Sequence, residues 1–399
     1  GNLKDSCLYK TKGNHMSEIQ DLLLAALIAL LVTAYTIPVI IRAAKWRKLY
    51  DHPNERKVHT VPIPSLGGMG IFIGFMLGLL FMADVTDAAK TFQFYIAAFL
   101  VIFIFGIKDD MLIISPLKKF LGQLAVTMII IVKADIHIDH MHGFLGILKI
   151  HPIASFFLTA FTVLVILNAF NLIDGIDGLA GSLGLVTSLA FGTFFLFMKD
   201  HFFALMAFTF ASALAGFLIY NFSPAKIFMG DTGAMLIGAV NSILVIRFIE
   251  TAEGSPFLPS LSSAAMGFGM LLIPLMDTLR VFAIRLFDGR SPFSPDRNHI
   301  HHILLDQGFS HTRITITLAL AQVVVIVVSY LALPLGSTWV ILGQIVSFLV
   351  AIVVLSRYKK RPTAFTVIKG KDFKQAESSF GLRRLAGFGS SKATTLTEE

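Results

Sequence analysis

Apolar residues run in stretches of about twenty along nearly the whole chain, and polar residues collect between them. A bilayer core about 30 Å thick takes roughly 20 apolar residues to cross as a helix. The stretches are continuous rather than alternating, which selects helices over the strands of a membrane barrel. Only helices or a closed barrel can satisfy backbone groups in lipid. The pattern predicts an all-α polytopic membrane protein of about eleven transmembrane helices. They fall at 19–41, 66–83, 92–107, 117–133, 153–170, 179–198, 203–220, 233–249, 263–287, 313–333 and 338–356. A polar N-terminal tail (1–17) precedes this membrane domain (18–356), and a basic, flexible tail (357–399) follows it. The first residue is Gly, and Met16 is the expected native start, so the stretch before it is left out of fold reasoning.

Composition agrees: 55% of residues are hydrophobic, 15% charged, and the mean hydropathy is +0.76. A soluble domain carries about 25% charged residues. The net charge of +8 does not mark a nucleic-acid binder, because the basic residues sit in loops and in the tail. Loop 42–65 holds Arg42, Lys45, Arg47, Lys48, Arg56 and Lys57, and more follow from Arg357. Connections on the other side hold only Lys90, Lys149 and Lys199. Basic loops stay inside, so the N-terminus is outside and the C-terminus cytoplasmic. The tail suits contact with anionic membrane lipids. The single Cys7 excludes an internal disulfide.

With that topology, the chemically capable residues gather on the cytoplasmic side, in separate loops. Asp109-Asp110 end one span, and Lys118-Lys119 open the next. The pair is either a charged helix end or a site whose repulsion a cation relieves. Asn168, Asn171, Asp174 and Asp177 lie between two apolar helices, where acids are functional candidates by default. Gly175 and Gly178 allow close backbone approach to a ligand. Oxygen ligands of this kind suit Mg²⁺, with Mn²⁺ the alternative. Asp231, in Phe228-Met-Gly-Asp-Thr-Gly233, is a helix cap on its own and a metal ligand beside the other carboxylates. The helix that starts there favours a phosphate. Arg297, His299, His301 and His302 lie in a loop of about 25 residues. They suit diphosphate oxygens or proton transfer better than zinc, since no Cys or Glu set accompanies them. His137, His140, His142 and His151, at 134–152, read as an ordinary external hairpin rather than a metal site. Together these groups fit phosphoryl-type transfer between a soluble donor and a lipid phosphate. An ion-coupled transporter would instead place its charges near the middle of spans.

Five segments then carry a resemblance: Arg56-Lys-Val-His59 with Pro64-Ser-Leu-Gly-Gly68, Asp109-Asp110, Asn168 to Ala180, Phe228 to Gly233, and His299-Ile-His-His302. In that order the chain strongly resembles the polyprenyl-phosphate N-acetylhexosamine-1-phosphate transferases of glycosyltransferase family 4. Members of this family initiate teichoic acid and enterobacterial antigen synthesis. The resemblance implies transfer of N-acetylglucosamine 1-phosphate from UDP-N-acetylglucosamine to undecaprenyl phosphate, with Mg²⁺ as cofactor and UMP released. It implies a bacterial inner (cytoplasmic) membrane enzyme that starts a cell-wall polymer or O-antigen. Asp231 becomes the principal Mg²⁺ ligand and Asn171 a second; Asp109 and Asp110 lie by the lipid phosphate. Lys119 binds phosphate. Asn168, Asp174, Asp177 and Phe228 line the nucleotide region, with Lys57 and His59 beside it. Arg297, His299, His301 and His302 take the diphosphate or sugar end. Direct displacement is the favoured route. The peptidoglycan branch uses UDP-MurNAc-pentapeptide and has contiguous histidines, whereas Ile300 interrupts them here. That leans towards the N-acetylglucosamine donor, and a homodimer stays open.

Overall fold

The computed structural model describes residues 2–47, 63–83, 85–112, 114–252, 258, 261–291 and 298–357. Side chains are described from residue 18 in the first segment and from 91 in the third. Every described residue belongs to one compact unit, Gly1–Lys359. Thirteen α-helices occur among them, with no named β-strand. They are α1 (Asn2–Arg47), α2 (Gly67–Met82), α3 (Val85–Leu112), α4 (Pro116–Met128), α5 (Pro152–Ile173), α6 (Leu179–Phe197) and α7 (His201–Asn221). There follow α8 (Gly230–Thr251), α9 (Ser263–Met270), α10 (Leu272–Phe287), α11 (Ile300–Asp306), α12 (His311–Ala332) and α13 (Ser337–Arg357).

The protein is therefore an all-α polytopic membrane protein. Among the described residues, eight helices are long and apolar enough to cross a bilayer, and α2 is a shorter apolar helix. The other two of the eleven expected spans are each built from two pieces. The span at 117–133 is α4 continued by a wider π turn, Ile129–Lys133. The span at 263–287 breaks at Leu271 into α9 and α10. Gln322 of α12 bridges that break, accepting from Ile273 N at 3.2 Å and donating to the carbonyls of Gly269 and Met270 at 2.9 and 3.0 Å. A break inside lipid is tolerated because a neighbour satisfies the freed backbone groups.

Helix α8 is the centre of the bundle, with 89% of its apolar window buried against 22% for α12 at the rim. Helices α3 and α5 pack directly on α8, and α1, α2 and α7 pack on one another beside it. Rings of Phe75, Phe99 and Phe210 meet edge to face in this core at 5.0–5.4 Å.

The ends of α8 differ in chemistry. Its C-terminal end meets the 134–152 segment, a hairpin closed by a bridge between His140 and Lys149. Ser155 donates to Asp139 at 2.8 Å there, and Thr159 accepts from Ile138 N at 2.9 Å. A cleft of about 310 Å³, lined by Asp139, His140, His142, Lys149, Ile249 and Glu250, lies between hairpin and helix. The N-terminal end of α8 carries Asp231.

Candidate active site

The carboxylates around Asp231 sit at helix ends rather than in loops. Helix α3 runs on to Leu112, so Asp109 and Asp110 stand in its last turn. Helix α5 runs to Ile173, so Asn168 and Asn171 project from its last two turns. Helix α8 begins at Gly230, whose φ of +73° turns the chain into the helix and places Asp231 in the first turn. The segments before α2 and α8 are paired: Phe228 N donates to Pro64 O, Gly67 N to Phe228 O and Gly68 N to Met229 O, all at 2.8–2.9 Å. At Gly68 a Cβ would lie 2.2 Å from Gly233 N, and at Gly106 one would lie 2.5 Å from Thr232 Cα. Two bare backbones thus let α2 and α3 close on the start of α8.

Asp231 Oδ1 receives two donors, Lys119 Nζ at 2.6 Å and the Asn171 side-chain amide. Lys119 Nζ also lies 3.2 Å from Asp109 Oδ2, so one ammonium bridges two carboxylates. The other Asp109 oxygen accepts from Ile114 N at 2.9 Å. Asp110 has a different task. Its Oδ1 accepts from Asp231 N at 2.6 Å, and its Oδ2 accepts from Thr232 N at 3.2 Å and Thr232 Oγ1 at 2.5 Å. The amino end of α8 was expected from the sequence to favour a phosphate, but Asp110 already holds these two N–H groups. A carboxylate there also complements the helix dipole.

Asp174 and Asp177 occupy the turn between α5 and α6. Burial raises the Asp174 carboxyl to about 8, with the charges of Asp231, Asp110 and Asp177 adding to the rise. Asp177 is buried and ties the turn to its surroundings. It accepts from Ala225 N at 3.2 Å, lies 3.5 Å from His311 Nδ1, and its carbonyl accepts from Thr315 Oγ1 at 2.8 Å.

The histidine segment forms α11, so His301 and His302 are helical and His299 precedes the helix. The His301 ring is buried against the turn: a Cβ on Gly175 would lie 2.2 Å from its Nε2. Neither ring nitrogen of His301 has a hydrogen-bond partner among the described residues. Burial, with the charge of His302 beside it, pushes this imidazole down to about 3, so it is neutral at physiological pH. The rings of His299 and His301 stack at 5.7 Å, and those of His301 and His302 tilt together at 4.3 Å.

The structure thus gathers Asp109, Asp110, Lys119, Asn171 and Asp231 by direct contacts. It brings His301 onto the Asp174–Asp177 turn. Lys57, His59 and Arg297 lie outside the described residues, as does the tail at 358–399. Asn168 is not joined to Asp231. Its amide donates to Gln123 Oε1 at 3.1 Å and to Leu164 O at 2.7 Å.

Several polar residues at the site escaped the sequence reading. Gln123 braces Asn168 from α4. Asn221 accepts from Gly178 N at 2.9 Å and donates to Ile227 O at 2.8 Å, fixing the 222–229 connection. Asp277 holds His299. Each is a lone polar residue in or at the end of an apolar run, and that isolation was the available signal.

The sequence profile of glycosyl transferase family 4 matches residues 92–249, which span α3 to α8 and the Asp231 cluster. A decaprenyl-phosphate N-acetylglucosaminephosphotransferase of Mycolicibacterium smegmatis is 31% identical over 84% of this chain and 88% of its own length. The chain belongs to glycosyl transferase family 4. Two further relatives agree. The probable undecaprenyl-phosphate N-acetylglucosaminyl 1-phosphate transferase of Bacillus subtilis is 31% identical over 73% of this chain and 79% of its own. The undecaprenyl-phosphate alpha-N-acetylglucosaminyl 1-phosphate transferase of Salmonella typhi is 33% identical over 69% and 74%. The family-4 match includes every carboxylate of the Asp231 cluster, while α11 and its histidines lie beyond it.

Proposed function

We propose that the protein transfers N-acetylglucosamine 1-phosphate from UDP-N-acetylglucosamine to undecaprenyl phosphate, giving undecaprenyl-diphospho-N-acetylglucosamine and UMP. One observation carries the reading. The ends of α3, α4 and α8 of a family-4 membrane protein bring Asp109 and Asp231 onto a single ammonium, Lys119, while Asp110 beside them holds the first N–H groups of α8. Carboxylates in such excess at a bundle end are costly unless a cation joins them. The relatives act at a polyprenyl phosphate, and the soluble donor reaches the cluster from the cytoplasm. The basic residues of loop 42–65 support a cytoplasmic facing of this end at the bacterial inner membrane.

The donor set fits Mg²⁺. Asp231 keeps 32% of its side-chain surface exposed, so its carboxylate is open to a ligand. Among the described residues no three His, Cys, Asp or Glu form a ready ligand group. An incomplete oxygen set is what Mg²⁺ uses, since it keeps waters and takes substrate phosphates as well. Asp231 would hold it, with Asn171 through its carbonyl oxygen if the amide turns. The ion would supply neutralisation of the diphosphate charge.

In the reaction a lipid phosphate oxygen attacks the β-phosphorus of the donor, the bond to the α-phosphate bridging oxygen breaks, and UMP leaves. Lys119 is placed to offset phosphate charge. Asp109, which shares Lys119 with Asp231, would be the member of the pair that takes a proton from the lipid phosphate. Asp110 holds α8 and so fixes where Asp231 points. His301, neutral and with both ring nitrogens uncommitted, offers hydrogen bonds to the sugar or diphosphate end.

The test is UMP release by purified protein given undecaprenyl phosphate, Mg²⁺ and a panel of UDP-sugars. UMP with UDP-N-acetylglucosamine is the expected result. UMP only with UDP-MurNAc-pentapeptide would move the chain to the peptidoglycan branch. No UMP with any donor, in a preparation that still binds lipid phosphate, would overturn the reading.

A further inference from the structure

The only acidic side chain of the broken span at 263–287 is Asp277, and it is completely buried. It stands on α10, away from the Asp231 cluster, and the reaction scheme above does not use it. Its contacts all lead to the histidine segment. Oδ2 lies 2.8 Å from His299 Nδ1, and Oδ1 accepts from Ile300 N at 2.8 Å. Arg280 Nη2, one turn along α10, lies 3.1 Å from Oδ1 and also donates to the Asn298 carbonyl. One carboxylate therefore holds the residue before α11, the first residue of α11, and, through Arg280, the chain entering it.

The geometry points to Asp277 as a positioning residue that sets the tautomer of His299 and the seat of His301. A carboxylate only accepts, so the His299 nitrogen facing it must carry the proton. With Nδ1 protonated, Nε2 is the nitrogen presented to a ligand, and it is an acceptor whenever the ring is neutral. The bond to Ile300 N satisfies a donor at the start of α11 that the helix itself leaves open. That anchor places His301, one residue on, where its Nε2 meets Gly175. Asp277 thus connects α10 to the Asp174–Asp177 turn without reaching the substrate. The inference rests on the transferase reading for its activity arm, and its spectroscopic arm stands apart from that reading.

Asp277→Asn is the discriminating variant, because it keeps shape and volume. The amide can accept from Ile300 N, and its NH₂ then faces His299 Nδ1 and forces the proton to Nε2. In protein labelled with ¹⁵N-histidine, the resonance pair that disappears in His299→Gln identifies His299. We expect it to report a protonated Nδ1 in the parent and an unprotonated Nδ1 in Asp277→Asn. We expect turnover to fall by about a hundredfold or more, as for a histidine held in the wrong tautomer. The thermal midpoint in detergent should stay within a few degrees of the parent. An unprotonated Nδ1 in the parent overturns the inference, as does an unchanged Nδ1 signal in the variant. Turnover within about threefold of the parent, beside a switched tautomer, overturns the functional part. An Asp277→Asn protein that does not fold, when His299→Gln does, makes Asp277 a structural clamp and overturns it as well. A parent inactive with every donor but showing the tautomer switch would leave the positioning of His299 intact and refute the transferase reading alone.

Discussion

Asp231 and Asp277 are the same side chain on two helices of one bundle, one in a first turn and one inside its helix, and they are satisfied in opposite ways. Asp277 is closed. His299, Ile300 N and Arg280 occupy its two oxygens, and its exposure is zero. Asp231 is open. It shares one lysine with Asp109, sits on the helix capped by Asp110, and keeps a third of its surface accessible. A buried charge must be matched by partners inside the protein or by a ligand from outside. The closed aspartate organises backbone and a histidine, and the open one is left for a cation and phosphates. Of the neighbouring pair, Asp110 is spent on the start of α8, whereas Asp109 is shared between Ile114 N and Lys119.

The largest expected effect comes from breaking the open side. Asp231→Asn should lower UMP release to below about 1% of the parent, since a charge aimed at transferring phosphates is lost. Its thermal midpoint should hold or rise, because the crowded carboxylates lose one member. A variant with near-parent turnover would remove Asp231 from the chemistry.

Gly175→Ala comes next. Its Cβ would sit 2.2 Å from His301 Nε2 and 2.8 Å from Cε1, so the turn or the ring must move by about an ångström. A displacement of that size near the reacting groups costs about a hundredfold in turnover, with UMP release as the readout. Parent-like turnover would show that the contact between turn and histidine does not serve the reaction.

A smaller effect is expected at Gln123→Ala. It strips Asn168 of its side-chain partner in a buried setting, at about 1–3 kcal/mol of stability. Thermal unfolding in detergent should show the loss, and turnover should fall only several-fold.

The smallest is a pH effect on the metal-free protein. Asp174 is raised from an ordinary 3.8 to about 8. The folded state therefore binds more protons than the unfolded one between those values, and stability falls as pH rises through that window. In a chelator, the thermal midpoint should decline from about pH 5 to pH 8, and Asp174→Asn should flatten that decline. A midpoint that climbs over the same range would contradict the assignment.

Much of the architecture could be read from the chain, because lipid leaves so few options. Continuous apolar runs such as 203–220 and 233–249 could only be helices, and α7 and α8 cover them. The break at Leu271 was not legible, since the side chain that supports it, Gln322, comes from another helix. At the site, the Asp109, Asn171 and Asp231 segments were visible as polar islands, and they meet. Their division of labour was not visible. Asp109 and Asp110 are neighbours in sequence, and only the helix turn decides that one faces Lys119 and the other caps α8. Asp277 was overlooked because it lies inside a run taken as a span. A lone acid in such a run was itself a signal.

The open site is tested most directly by divalent-cation binding. Mn²⁺, which accepts the same oxygen ligands, is titrated into purified protein with UDP-N-acetylglucosamine, and the free ion is followed by electron paramagnetic resonance. One saturable site in the parent, lost in Asp231→Asn and kept in Asp277→Asn, is the result predicted. Equal binding by the parent and Asp231→Asn, or binding lost only in Asp277→Asn, would contradict the account.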